Sequence, residues 1–271
     1  MASMTIAEAL RITGLDPADA RVLLRAIMRA DDAQLLAHPG RQLTETQHAA
    51  YLAWTERRRA GEPVAYLTGS REFYSLPFQV TPAVLIPRPE TELLVEAALE
   101  RIPTEQTCRV LDLATGSGCV AIAIARHRPR AEVTATDVAP AALAVARANA
   151  ARHGVRIEFV ESDWFTALSG RHFDLIVANP PYVAEGDPHL DSGDLRFEPR
   201  GALAAGPDGL DGIETIAAQA RHFLTAAGRL LFEHGYDQGA SARALLAAAG
   251  FRDIATRCDL AGIERVSGGR V

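Results

Sequence analysis

The sequence predicts an α/β fold with a mainly parallel seven-stranded sheet, preceded by a small helical domain. From residue 109 onward, short apolar strands alternate with longer helical stretches, which is typical of parallel strands covered by helices on both faces. Residues 6–60 show helical spacing of apolar side chains, for example Val22, Leu23 and Ile27. With 271 residues, 48% of them hydrophobic, the chain is long enough for two unequal domains.

We predict a helical domain over residues 1–70, a hairpin linker over 71–88 and the α/β domain over 89–271. Asp16 before Pro17, and Thr44 with Gln47, have the spacing of helix starts. In the linker, residues 72–74 and 78–80 predict two short strands, with Ser75, Leu76 and Pro77 in the turn between them.

The α/β domain is expected to contain the following elements. Strands are predicted near residues 109–113, 132–136, 157–160, 173–178, 229–233, 252–257 and 263–267, and helices near 118–127, 140–152, 211–226 and 238–249. The connector 259–262 is too short for a crossover, so we expect the last strand to pair antiparallel. Residues 187–212 are rich in Gly, Pro and Asp and predict a long loop that covers the site.

Composition narrows the class of protein. A net charge of -6 argues against binding of a nucleic-acid backbone by phosphate neutralisation. Cys108, Cys119 and Cys258 lack paired spacing and the histidines form no cluster, so we expect a reducing compartment and no metal site. Because the chain shows neither a signal-peptide pattern nor a long apolar run, we expect a cytoplasmic protein without membrane contact.

A glycine-bearing turn, Ala-Thr-Gly-Ser-Gly over residues 114–118, follows the first predicted strand of the α/β domain. Ligands of open parallel sheets bind beyond the carboxyl ends of the strands, where this turn meets the ends of the following strands. We expect the cofactor-binding residues there: Asp112, Ala114, Thr115, Gly116, Ser117, Gly118, Asp137, Asp163, Trp164 and Asn179.

The acidic residues among these indicate which cofactor binds. Asp137 ends the second strand about twenty residues after the turn, the position of a carboxylate that binds ribose hydroxyls. Asp163 and Trp164 end the third strand and can hold an adenine. Nicotinamide dehydrogenases share the turn, but Asp112 would repel a pyrophosphate and attract the sulfonium and amino groups of S-adenosylmethionine. The structural alternatives are a solvated carboxylate for Asp137 and a buried ring for Trp164.

The tetrapeptide Asn179-Pro180-Pro181-Tyr182 follows the strand predicted at 173–178. The Asn179 side-chain oxygen and the Pro180 carbonyl can both accept hydrogen bonds from one planar NH2 group, while the prolines stiffen the turn. Tyr182 offers a ring that can lie against that planar group. We expect Asn179, Pro180 and Tyr182 to act in catalysis and all four residues to bind the substrate. A plain proline-rich strand exit is the structural alternative.

Together these motifs resemble the release-factor glutamine methyltransferase family (PrmC/HemK), whose members are class I S-adenosylmethionine-dependent methyltransferases with a Rossmann-like sheet. The resemblance covers nearly the whole chain, with further matching segments at residues 61–66, 85–92, 163–165, 197–200 and 208–210. It implies that residues 89–271 form the methyltransferase domain and that residues 1–70 recognise the substrate. Ala114 stands where the motif often has glycine, and we expect a φ there that alanine tolerates.

The resemblance also implies the reaction: a methyl group passes from S-adenosylmethionine to the side-chain amide nitrogen (N5) of the glutamine in the Gly-Gly-Gln motif of class I peptide chain release factors. S-adenosylhomocysteine is the product, and no metal is implied. We expect a monomer without direct nucleic-acid binding. An amide nitrogen is a poor nucleophile, so alignment and acceptors for its N–H bonds matter most. We expect no general base and no catalytic role for His222 or His234.

Three alternative functions remain at this point. An amino-methyltransferase for DNA adenine or RNA guanine also needs a flat NH2 site, but it must in addition extract a base from its stack. The other two are a nicotinamide-dependent oxidoreductase and a non-catalytic cofactor-binding module.

Overall fold

The computed structural model describes residues 4–12 and 14–271, and the chain forms two compact units that meet in sequence at Ser70 and Arg71. The hairpin that we predicted as a linker belongs to the second unit.

The first unit consists of helices that pack around one apolar core. They are α1 (Ile6–Ile12), α2 (Pro17–Met28), α3 (Asp32–Ala37), α4 (Glu45–Arg59) and α5 (Val64–Thr68). As predicted, Asp16 caps α2 by accepting a hydrogen bond from the backbone N–H of Ala18 at 2.8 Å, and Thr44 and Gln47 form a capping box at α4. The buried Tyr51 hydroxyl donates to the carbonyl of Ala9 at 3.0 Å, which ties α4 to α1.

A two-stranded hairpin opens the second part of the chain, with β1 (Ser70–Phe73) and β2 (Leu76–Gln79). Its turn is Tyr74-Ser75, both with positive φ, 51° and 58°. Two consecutive residues with φ above zero are the signature of a type I′ turn. Our placement of the turn at 75–77 was wrong because neither residue is the Asn or Gly that usually marks such a turn.

The α/β elements follow in alternating order. They are α6 (Glu92–Leu99), β3 (Cys108–Leu113), α7 (Cys119–His127), β4 (Ala131–Asp137), α8 (Pro140–His153), β5 (Glu158–Glu161), β6 (Phe173–Ala178), α9 (Asp211–Gln219), β7 (Leu224–Glu233), α10 (Gly239–Ala248), β8 (Arg252–Cys258) and β9 (Glu264–Arg270). Short 3-10 turns lie at residues 89–91, 188–191, 195–197, 200–202 and 220–223.

The seven-stranded sheet has the order β5-β4-β3-β6-β7-β9-β8. Strands β3 to β7 pair parallel, whereas the last strand, β9, pairs antiparallel with both β7 and β8. Alternate residues of β3 face opposite layers: Val110 belongs to the core with α6 and α7, and Leu111 to the core with α9 and α10. The sheet is thus covered on both faces, as predicted.

One predicted element ends early. The helix expected over 211–226 stops at Gln219, and β7 begins at Leu224, before the strand start expected at 229. Leu224 pairs with Phe173, and the ladder resumes at Arg229 opposite Leu175 after an irregularity. Pairing with β6 therefore overrides the helix preference of the alanines at 226 and 227.

Candidate active site

The carboxyl ends of β3, β4, β5 and β6 surround a cavity of about 280 Å³. The predicted site residues that line it are Asp112, Ala114, Thr115, Gly116, Ser117, Asp137, Asp163, Trp164, Asn179 and Pro181. Gly118, Pro180 and Tyr182 are not among the lining residues, and Gly118 and Pro180 are buried. Segments 83–88 and 199–202 complete the cavity wall.

The glycine turn after β3 is built from left-handed backbone. Ala114, Gly116 and Gly118 have φ values of 55°, 55° and 80°. The expectation that Ala114 adopts a φ that alanine tolerates was wrong, since a side chain in this region costs about 1–2 kcal/mol. The turn is anchored to the neighbouring strand, because the N–H of Thr115 donates to the carbonyl of Thr136 at 2.9 Å.

Asp112 lies under this turn and is only 1% exposed. Its Oδ2 accepts hydrogen bonds from the Thr115 hydroxyl at 2.6 Å and from the Ala121 N–H at 3.2 Å. Burial raises the pKa of Asp112 to about 7, although these two hydrogen bonds oppose the shift. A cation in the cavity would restore the charged form, which is the chemistry expected for a sulfonium or ammonium group.

Asp137 ends β4, and its carboxylate accepts hydrogen bonds from the backbone of two different segments. Its Oδ2 accepts from the N–H of Gly116 and its Oδ1 from the N–H of Ala139, both at 2.9 Å. Burial raises the pKa of Asp137, and the backbone hydrogen bonds lower it. A carboxylate has about four lone-pair sites, so each oxygen can accept a further hydrogen bond from a ligand hydroxyl.

Trp164 follows β5 with a φ of 47°, and the Ser162 hydroxyl donates to its carbonyl at 2.8 Å. The half-buried ring lines the cavity and also packs against the core that contains α9. At the start of that helix a Cβ on Gly212 would come within 3.3 Å of the Trp164 ring and 3.4 Å of Pro180. The glycine therefore allows α9 to approach both residues closely.

The Asn179 amide has a defined orientation. Its Nδ2 donates to the Thr91 hydroxyl oxygen at 3.1 Å. Its Oδ1 is buried and accepts no hydrogen bond from any residue that the structure describes. Since native proteins rarely leave a buried acceptor unpaired, this oxygen is available to a ligand donor in the cavity.

Tyr182 is held by groups behind the cavity. Its hydroxyl donates to Glu233 Oε1 at 3.0 Å, and its backbone carbonyl accepts from Gln238 Nε2 at 3.0 Å. Burial and the negative charge of Glu233 raise the pKa of Tyr182, so the phenol keeps its proton.

Sequence reasoning missed Thr91, Glu198 and Glu233 as parts of this site. Glu198 is buried, accepts from the N–H of Ile86 at 2.9 Å and pairs with Arg88, which joins the two segments of the cavity wall. Glu233 ends the apolar strand β7, the same signal that singled out Asp137 at the end of β4. That signal could have found it.

A larger groove of about 1310 Å³ lies at the opposite ends of the strands, beside Ala131, Glu158 and Phe173. Its arginines are largely engaged, as in the ion pair of Arg171 with Glu158. Asn179, which carries a buried unpaired acceptor, lines the smaller cavity, so we take that cavity as the candidate active site.

Residues 4–12 and 14–271 contain neither a metal-binding cluster nor a membrane-spanning helix. Within these ranges His, Cys, Asp and Glu side chains form no group of three suited to a metal ion. Across the same part of the chain, every helix is too short or too polar to cross a membrane.

Comparison with known proteins extends this description. A family model described as PrmC N-terminal domain matches residues 5–69, and one described as Methyltransferase small domain matches residues 90–194. A protein of Burkholderia pseudomallei named release factor glutamine methyltransferase is 53% identical, covering 98% of this chain and 96% of that protein. The Escherichia coli protein of the same name is 48% identical, covering 93% and 91%.

This chain belongs to the release factor glutamine methyltransferase family. The predicted family is thereby confirmed, as is the predicted Rossmann-like fold of a class I methyltransferase.

Solved structures share the fold at low identity. A Thermus thermophilus 16S rRNA N2 G1207 methyltransferase, in complex with AdoMet and guanosine, gives a TM-score of 0.55 at 22% identity, covering 74% of this chain and 49% of that chain. A methyltransferase from Pyrococcus furiosus gives 0.56 at 14% identity, covering 80% and 98%.

Proposed function

We propose that this chain transfers a methyl group from S-adenosylmethionine to the side-chain amide nitrogen of the glutamine in the Gly-Gly-Gln motif of class I release factors. Asn179 Oδ1 carries the proposal, because it is a buried acceptor without a partner in the described chain and belongs to a residue that lines the cavity. Leaving such a group unsatisfied costs about 1–3 kcal/mol. A substrate amide N–H would satisfy it, and the names of the relatives support glutamine as its source.

The cofactor side of the cavity has the donor and acceptor set that S-adenosylmethionine needs. When bound, this cofactor supplies an electrophilic methyl group on a positively charged sulfur. Asp112 offers a carboxyl whose charged form a nearby cation would favour, and Asp137 retains acceptor capacity for ribose hydroxyls. Asp163 and Trp164 would hold the adenine. At Gly116, where an added Cβ would meet nothing within 4 Å, the backbone lies open to the cavity.

On the substrate side, the protein must orient an amide. Asn179 Oδ1 and the Pro180 carbonyl together would accept both N–H bonds of one NH2 group and so fix the plane of the amide. This restraint would align the amide nitrogen with the methyl group of the cofactor, so that reaction does not depend on a random encounter. Pro181 lines the cavity and would limit where the amide can enter.

Removal of the proton from the methylated nitrogen needs no general base in the proposed reaction. The nitrogen becomes acidic once it carries the methyl group and loses its proton readily, so we assign no general base. His234 is buried and its Nε2 lies 2.9 Å from the Ser267 hydroxyl, contacts that support a structural role. For Tyr182, the hydroxyl contact with Glu233 supports a role in holding the loop. Contact between its ring and the substrate stays a prediction.

The experiment is methylation by the purified protein with methyl-labelled S-adenosylmethionine, offered either a class I release factor or DNA and RNA. We expect one methyl group on the glutamine of the Gly-Gly-Gln motif, located by mass spectrometry of the digested release factor. A release factor with glutamine replaced by asparagine is the matched control and should remain unlabelled. Label in nucleic acid, or at another residue of the release factor, would contradict the proposal. The monomeric state and the cytoplasmic location stay predictions.

A further inference from the structure

Glu233 carries a buried carboxyl group close to the candidate site but does not line the cavity. It is 1% exposed and ends β7. In the parallel register, Ala178 of β6 pairs with Phe232 of β7, so the residues that follow them, Asn179 and Glu233, lie beside each other at the same rim of the sheet. Asn179 lines the cavity, whereas Glu233 is not among the lining residues.

Two hydroxyl groups act on this carboxyl. Tyr182 donates to Oε1 at 3.0 Å. Burial raises the pKa of Glu233 to about 7 and the hydroxyl groups of Thr91 and Tyr182 oppose this shift, so the carboxyl is ionised above about pH 7. Oε2 is buried and has no direct hydrogen-bond partner in the described residues, so it is the acceptor that a proton from Thr91 would satisfy. The oxygen of Thr91 in turn accepts from Asn179 Nδ2 at 3.1 Å. Direct hydrogen bonds join Asn179 to Thr91 and Tyr182 to Glu233, and the free Oε2 of Glu233 is the acceptor assigned to the proton of Thr91.

The direction of the protons along this chain decides what Asn179 presents to the cavity. A hydroxyl has one proton to donate. If Thr91 gives that proton to Glu233, it can only accept from Asn179, which turns the NH2 group away from the cavity and Oδ1 toward it. Without the carboxyl, Thr91 can donate to Asn179 Oδ1 instead. The amide would then turn its NH2 group to the cavity, where it cannot accept a substrate N–H.

The energetic cost of the carboxyl supports a role beyond packing. Removing a carboxylate from water is unfavourable unless its lone pairs are well satisfied, and Oε2 lacks a direct partner. Glutamine would occupy a similar volume without a charge. What only the carboxylate offers is that both of its oxygens accept and neither donates.

We propose that Glu233 is a positioning residue for methyl transfer, which acts through Thr91 to keep Asn179 Oδ1 directed at the substrate amide. The proposal rests on the proposed function, because it concerns the same reaction.

The experiment uses the full chain with S-adenosylmethionine and a class I release factor, and it compares Glu233→Gln, Thr91→Val, Thr91→Ser and the double variant Glu233→Gln/Thr91→Val. We expect Glu233→Gln and Thr91→Val each to lower the single-turnover rate about 10- to 100-fold, with KM for the release factor and Kd for the cofactor within about threefold of wild type. Thr91→Ser retains the hydroxyl and should recover most of the rate. The double variant should be no slower than the slower single variant, since both changes break one chain of contacts.

Glu264→Gln, a matched change on strand β9 at an ion pair with Arg243, should keep the wild-type rate. A wild-type rate in Glu233→Gln would overturn the proposal, as would a loss confined to KM or to cofactor binding, or effects that multiply in the double variant. If Glu233→Gln folds poorly, the two Thr91 variants decide, and a Thr91→Ser rate as low as that of Thr91→Val would overturn it. An inactive wild-type chain would instead contradict the proposed function.

Discussion

The two loops of the candidate active site are built in opposite ways. In the glycine turn after β3, the carboxylates Asp112 and Asp137 already accept hydrogen bonds from the turn itself. In the Asn-Pro-Pro-Tyr loop after β6, Asn179 Oδ1 has no partner in the described chain. The carboxylates at the first loop therefore have hydrogen-bond donors within the protein, whereas one acceptor of the second loop has no donor in the described chain.

This difference indicates that the protein binds the cofactor and the substrate in different ways. A preformed turn with left-handed residues can hold a cofactor without rearrangement, and it pays for this shape in backbone strain. In the second loop the free-energy cost comes from a buried acceptor without a hydrogen bond, and a donor on the substrate would remove that cost. Changes in the glycine turn should therefore alter stability and cofactor affinity, and changes at Asn179 should alter the rate.

The largest effect is expected for Asn179→Ala. Removing one preorganised polar partner should cost about 2.7–4 kcal/mol of transition-state stabilisation, while cofactor affinity changes little. Single-turnover kinetics and cofactor titration measure the two quantities separately. Asn179→Asp keeps an oxygen acceptor and should lose less. Equal losses in both variants, or an Asn179→Ala rate near wild type, would remove the distinction between the loops.

The next effect concerns Asp112 and pH. Without cofactor, burial raises the pKa of Asp112 to about 7, and a bound cation favours the ionised form. Protonation therefore competes with binding, and cofactor affinity should fall as pH drops below about 7, by up to about tenfold per pH unit. Calorimetric titration from pH 5.5 to 8.5, roughly 1.5 units either side of that pKa, measures the slope.

Asp112→Asn should bind the cofactor about tenfold or more weakly at high pH and lose most of the slope, because a charged partner is gone. Asp174→Asn, at the other end of the sheet, is the control and should leave the slope unchanged. A full slope in Asp112→Asn would show that another group titrates.

A smaller effect, on stability, distinguishes two glycines of the turn. A Cβ at Gly118 would come within 3.1 Å of the Ala146 Cβ, whereas at Gly116 it would meet nothing within 4 Å. Gly118→Ala should lower the free energy of unfolding by about 2 kcal/mol from strain and crowding, and Gly116→Ala by about 1 kcal/mol from strain alone. Urea unfolding compares them, and equal losses would contradict the packing argument.

The smallest expected effect is a gain in stability. Ala114 has a φ of 55°, and glycine there relieves about 1–2 kcal/mol of strain while adding about 0.5–1 kcal/mol of chain entropy cost. Ala114→Gly should raise the free energy of unfolding by about 0.5 kcal/mol. A loss of stability in the same urea experiment would mean that the turn favours alanine through contacts of its methyl group.

Much of the fold could be predicted because strand ends and helix starts carry local signals. Asp137 and Asn179 each follow an apolar strand, and the parallel pairing of β3 with β4 and β6 brings them to one rim. The end of α9 at Gln219 could not be predicted, since the early start of β7 depends on the pairing of Leu224 with Phe173 of β6. The hairpin turn at Tyr74-Ser75 carried no local signal.

The residues behind the site were harder to predict than those that line it. Thr91 and Glu233 are far apart in sequence, and only folding shows that Thr91 contacts Asn179 and Glu233 contacts Tyr182. Ala114 has a positive φ next to Thr115, whose N–H is bound to the carbonyl of Thr136 on a neighbouring strand. Long-range contacts of this kind leave no spacing pattern in the chain.

The most direct test of the central claim is a crystal structure of the chain with S-adenosylhomocysteine and a peptide that contains Gly-Gly-Gln. We predict that the glutamine amide nitrogen lies about 2.7–3.2 Å from Asn179 Oδ1, with Asn179 Nδ2 still on Thr91. A glutamine amide held by other groups, with Asn179 Oδ1 turned to Thr91, would contradict the account.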